Sequence, residues 1–140
     1  MSIPARMTVY GTIAAKGSRT VGVRRDGRAY TRPASSKEIP WTDAVAKQAM
    51  WLRGQVKAPA PPYAVELAFY FPRPGRAAHS WPSRLDVDKA ARAVLDGLVR
   101  GGLLADDRHV TELRASKRWA ATAGGECVQV LVEHVEEPAA

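Results

Sequence analysis

Asp86-Val87-Asp88 and, about twenty residues later, Asp106-Asp107 place four carboxylates close together in a chain that is otherwise basic. Carboxylates at that density repel one another unless positive charge stands between them, and a divalent cation held by oxygen ligands is the usual solution. A basic protein that gathers acids in one place is built like one that grips a polyanion and cuts it with help from a metal. In an extended segment residues i and i+2 point the same way, so Asp86 and Asp88 could share one ion. On a helix they would diverge by about 200°. Pro82, and apolar periodicity that starts only after Asp88, favour an extended approach turning helical at Asp88.

The same residues have a structural alternative. Ser83-Arg84-Leu85-Asp86 has capping-box spacing, and Asp88 could itself cap the helix. Either accounts for one aspartate, and neither accounts for the pair or for Asp106-Asp107. Asp107 is the stronger of the second pair, because Arg108-His109-Val110 leads from it into a strand, whereas Asp106 is placed to cap a turn. A thirteen-residue helix is about 20 Å long, and residues 101–105 could return the chain along it and bring Asp107 towards Asp86 and Asp88. Arg92, one turn after Asp88, is a candidate cation for a scissile phosphate or half of an ordinary i,i+4 ion pair. Lys89 is a second candidate on the adjacent face. Asp96 reads as a surface or supporting charge and His109 as structural. Trp41, Trp51, Trp81 and Trp119 read as partly buried core, although Trp81 could stack on a nucleobase.

These groups need elements to hold them. Residues 7–13 alternate as a strand, and 21–25 and 28–31 flank Asp26-Gly27, a dipeptide suited to a type I′ hairpin. A helix is expected after Pro40, capped by Thr42 and ended by Gly54, with Ala44, Val45, Gln48, Ala49 and Leu52 facing inward. A Pro-rich connector, residues 58–62, leads to the strongest strand, Tyr63 to Phe71. Residues 88–100 carry an apolar stripe of Ala91, Val94, Leu95 and Leu98, stopped by Gly101-Gly102. Residues 110–119 and 126–135 look like two strands of one hairpin, and 136–140 like a frayed tail. That order predicts a single α+β domain, a mixed or antiparallel sheet carrying two main helices. Its functional parts are a basic loop and hairpin at about 16–37 and an acidic segment at about 84–110.

The chain has 140 residues, 46% hydrophobic and 25% charged, an ordinary balance for one globular domain. No apolar run approaches a membrane span, and Met1 to Arg6 does not open a signal peptide. Cys127 is the only cysteine, which excludes an internal disulfide and suits the reducing cytoplasm. The formal charge of +7 lies entirely within the first 37 residues; from Glu38 onward acids and bases balance. A front end this basic favours a phosphate backbone over an anionic membrane surface. Lys16, Arg19, Arg24, Arg25, Arg28 and Arg32 could reach phosphates from it, with Arg73 and Arg76 a second basic pair and Tyr30 a stacking ring.

Asp86-Val-Asp88-Lys-Ala-Ala-Arg92-Ala-Val-Leu-Asp96-Gly-Leu, followed by Gly101-Gly-Leu-Leu-Ala-Asp106-Asp107-Arg-His-Val110, resembles the RusA family of Holliday-junction resolvases. These are small endodeoxyribonucleases of phage and prophage origin that act in DNA recombination and repair. The likeness is close over Leu85 to Val110, and the basic stretch at 16–19 and the final strand agree in position. It implies a Mg²⁺- or Mn²⁺-dependent homodimer that binds four-way junctions and nicks two strands symmetrically. Asp86, Asp88 and Asp107 would be its metal-binding catalytic acids. Arg92 stands where the family has lysine, and Lys89 where it has asparagine. Arginine keeps the charge but cannot give up a proton, and its fork reaches differently. The rival readings are a non-catalytic basic phage module that binds DNA or RNA, and a nuclease acting on flaps or other branched DNA.

Overall fold

The computed structural model describes residues 3–17, 19–33, 37–77, 79–121 and 125–136, with backbone alone at 19–21 and 31–33. Strands β1 (Ala5–Tyr10), β4 (Tyr63–Phe71), β5 (Val110–Trp119) and β6 (Cys127–His134) form one mixed sheet in the order β1-β6-β4-β5. Strands β2 (Arg19–Val23) and β3 (Ala29–Pro33) form a separate two-stranded ribbon. Two helices, α1 (Glu38–Gln55) and α2 (Val87–Arg100), complete an α+β domain of the class the sequence predicts.

The core lies between the helices and one face of the sheet. Alternation in β4 turns Tyr63, Val65, Leu67, Phe69 and Phe71 towards it, beside Val128, Val130 and Val132 of β6. The α2 stripe of Ala91, Val94, Leu95 and Leu98 is buried as its periodicity predicts. The two helices pack closely because α2 carries glycine at the crossing. A Cβ on Gly97 would come within 2.6 Å of Val45 Cγ1. The stop at Gly101-Gly102 is a Schellman motif, with Gly102 at φ +79°, its N–H donating to Val99 O and that of Leu103 to Leu98 O, both at 3.0 Å.

Several expectations are corrected. Strands β5 and β6 do not form a hairpin: β4 lies between them, parallel to β5 and antiparallel to β6. A parallel partner needs a crossover, and α2 provides it. Helix α1 starts at Glu38 rather than after Pro40, since proline in a first turn gives up no intrahelical hydrogen bond. Thr42 is therefore a buried helical residue, and Gly54 lies inside the helix. The 24–28 turn has only Gly27 at positive φ, where a type I′ turn needs two such residues. Gly27 N–H donates to Arg24 O at 2.9 Å, which gives a wider loop. Trp41 and the half-buried Trp119 pack with the core, whereas Trp51 and Trp81 are more than half exposed. Residues 137–140 of the expected tail lie outside the described residues.

Candidate active site

The approach to α2 is fixed by three long-range ties. Trp119 Nε1 donates to Ser80 O at 3.0 Å, and Lys117 Nζ to Leu85 O at 2.8 Å. Arg84 pairs with Glu126 Oε1 at 2.8 Å, and Glu126 Oε2 accepts from the Ile13 N–H at 2.6 Å. Leu85 is the only described residue other than glycine at positive φ, +67°. That conformation costs a side-chain-bearing residue about 1–2 kcal/mol, and Lys117 on β5 anchors its carbonyl. Asp86 follows as the N-cap of α2, in extended backbone and with no side-chain capping bond. The capping-box alternative is therefore not realised, and Asp88 lies inside the first turn rather than at the cap.

Asp86, Asp88, Lys89 and Arg92 are exposed along the N-terminal half of α2. Lys89 Nζ lies 3.5 Å from Asp86 Oδ2. The i,i+4 ion pair between Asp88 and Arg92 does not form, and among the described residues both charges remain open to a ligand. The stretch 11–17 lies against this region: Lys16 N–H donates to Lys89 O at 3.0 Å, and Lys16 Nζ pairs with Asp96 Oδ2 at 2.6 Å. A groove of about 460 Å³ between them is lined by Ile13, Lys37, Arg84, Asp86 and Lys89.

Asp107 is elsewhere. It opens a 3₁₀ turn, Asp107–His109, and lines a second groove with Glu38, Asp96, Val99, Arg100 and Asp106. The 101–105 segment does not run back along the helix; β5 makes the return, pairing Val110 with the first residue of β4 and reaching Leu85 only at Lys117. Asp107 thus sits beside the C-terminal half of α2, with Asp96, Val99 and Arg100, whereas Asp86 caps the other end. Among the described residues no three of the His, Cys, Asp and Glu side chains come close enough to hold one metal ion. Carboxylates are the right donors for Mg²⁺ or Mn²⁺.

Asp106 caps the 3₁₀ turn, accepting from Arg108 N–H at 2.8 Å and from Arg108 Nε and Nη2 at 3.1 and 3.0 Å. Those bonds hold its carboxyl at about pH 2, below the usual 3.8. Among the described residues the basic ribbon makes no close packing contact with another element. Arg24, Arg25 and Arg28 are exposed on it, and Arg73 and Arg76 are exposed beyond β4. Arg19 and Arg32 lie on its strands, their side chains outside the described residues. Tyr30 lies against Gly22, beneath Arg24 at 5.8 Å. Sequence reasoning missed Arg84, Lys117 and Glu126, whose partners lie 32 residues or more away and leave no local pattern.

None of the helices is long and apolar enough to cross a membrane, among the described residues. No curated protein matches the chain. The family described as Endodeoxyribonuclease RusA matches residues 12–130, which include the ribbon, both helices and every candidate acid. With that match over most of its length, the chain belongs to the RusA family of endodeoxyribonucleases, which act on branched DNA junctions.

Proposed function

We propose that this protein resolves four-way DNA junctions by metal-dependent, paired nicking during recombination and repair. The observation that carries the reading is Asp88 and Arg92, without an ion-pair partner among the described residues, exposed on one family-matched helix. Asp86, Asp88 and Asp107 are the proposed ligands of Mg²⁺, with Mn²⁺ an alternative. Such a cation supplies Lewis-acid activation of water and of the phosphodiester. Arg92 contributes a permanent charge beside the scissile phosphate. Lys89, already 3.5 Å from Asp86, adds a second cation where a neutral amide would add none. The ribbon holds junction limbs through phosphates from Lys16, Arg19, Arg24, Arg25, Arg28 and Arg32, and Arg73 and Arg76 extend that footing. Lys16 does so only by leaving Asp96 or sharing it.

The separation of Asp107 from Asp86 and Asp88 gives the homodimer a chemical purpose. A second copy supplies a second Asp107, so the proposed centre draws its third carboxylate from the partner chain. Two sites related by a two-fold axis then match paired cuts in a two-fold junction.

The test is a labelled four-way junction incubated with wild type in Mg²⁺ and in EDTA, and with Asp88→Asn and Asp107→Asn separately and mixed. Symmetric nicks that need Mg²⁺ and vanish in each variant, with single nicks returning in the mixture because a mixed dimer rebuilds one of its two sites, establish a resolvase with shared sites. Variants that stay dead when mixed restrict the site to one chain. A wild type that binds without cutting in either Mg²⁺ or Mn²⁺ favours the non-catalytic module.

A further inference from the structure

The segment between β4 and α2 displays an aromatic surface that no part of the proposed catalytic machinery uses. Trp81 is 57% exposed, and its indole stacks on His79 with centroids 4.5 Å apart and planes inclined by 17°. Among the described residues no other ring or cation covers the indole, so its second face is open. The residues on either side are fixed: Ser80 O accepts from Trp119, and Pro82 is buried. An exposed tryptophan held between two pinned neighbours is ordered before any ligand arrives, which lowers the entropy lost on binding.

The surroundings say what the ligand is. Arg73 lies over the Trp119 ring at 5.8 Å, and that indole holds Ser80 O next to Trp81; Arg76 is exposed on the same segment. An aromatic platform bordered by guanidinium groups is how proteins hold unpaired nucleotides, the base on the ring and the phosphates on the cations. Asp86 is five positions after Trp81, so the chain itself keeps them within about 17 Å. That is the span of a few nucleotides. Paired bases inside a duplex have no free face, whereas bases at a branch point can be drawn from the stack.

We propose that the Trp81–His79 pair is a stacking platform for an unpaired nucleobase next to the cleavage point. The inference rests on the junction-nuclease reading and gives it a means of telling branched from linear DNA. The pair would stack one base and hold the branch open beside the acids.

The experiment measures binding in EDTA of a four-way junction, a linear duplex and a single-stranded oligonucleotide. Each carries 5-iodouracil, at the branch point in the junction, for photocrosslinking. Wild type is expected to prefer the junction and to crosslink through Trp81 or His79. Trp81→Ala should lose about 5- to 150-fold in junction affinity, the range of one missing base–aromatic stack. Its duplex affinity should not change, and Trp81→Phe should keep most of the junction affinity. Equal junction affinity in wild type and Trp81→Ala overturns the platform. So does a parallel loss on the duplex, or a fall in sedimenting mass that marks Trp81 as part of an interface between protein chains. A wild type that does not prefer the junction overturns the junction reading instead; the platform is then decided by whether Trp81→Ala weakens binding of the single strand.

Discussion

The acid-bearing segment and the basic ribbon are held in opposite ways. From Ser80 to Arg100 the chain is tied to β5, to Glu126 and to the core, with Leu98 fully buried and the carbonyl of Leu85, a residue at positive φ, held by Lys117. The ribbon is closed on itself and, among the described residues, packs on nothing comparable. Chemistry at a phosphate needs carboxylates placed to within fractions of an ångström. Long-range attraction to a polyanion needs only the right number of charges within a Debye length. One protein has spent its packing where position matters and its charge where position does not.

The contrast is most sharply broken by Asp88→Asn. Junction cleavage should fall by more than about 100-fold, beyond the range typical of residues that only support a metal ligand, while junction affinity in EDTA holds or rises. Cleavage assays beside a binding titration check both halves. Leu98→Ala comes next, with an expected loss of about 2–5 kcal/mol in urea unfolding, because the side chain is fully buried under the helix that carries the acids. A smaller effect is expected from Arg24, Arg25 and Arg28 changed together to Gln. Unfolding should be unmoved, and the slope of log affinity against log salt should flatten by about 0.9 for each phosphate left without its arginine. A shift in the unfolding midpoint would show that the ribbon is packed after all.

The smallest is the titration of Asp106. Its folded carboxyl is depressed, so the stabilisation from Arg108 is complete above the ordinary value of 3.8 and is lost as pH falls through about 2. A carbon-13 titration of the metal-free protein should show that carboxyl among the last to protonate. Arg108→Gln should return it towards the ordinary value.

What could be read from the sequence was what is local. The Ala91, Val94, Leu95 and Leu98 stripe and the Gly101-Gly102 stop lie within a few residues of what they determine, and both stand in the structure. The placement of Asp107 was not legible, because it depends on which strand β5 joins. A hairpin of β5 with β6 satisfies the same alternation as the observed pairing with β4. Trp51 and Trp81 failed for a related reason: hydrophobicity identifies residues that can be buried, not those that the fold leaves outside. Roles for Asp86, Asp88, Asp107, Arg92 and Lys89 came from the motif, and experiments on those side chains will decide them.

Strand β6 is the last of the described strands in chain order yet lies inside the sheet, with β1 on one side and β4 on the other. Ala5 meets Val132 across one boundary, and Tyr63 meets His134 across the other. Until β6 has been synthesised, β1 has no strand to pair with and β4 has one open edge. During translation the sheet therefore cannot close before β6 leaves the ribosome. A chain cut short before Cys127 would lack the middle of its sheet, so a prematurely terminated product should go to proteases rather than persist as a basic protein on DNA.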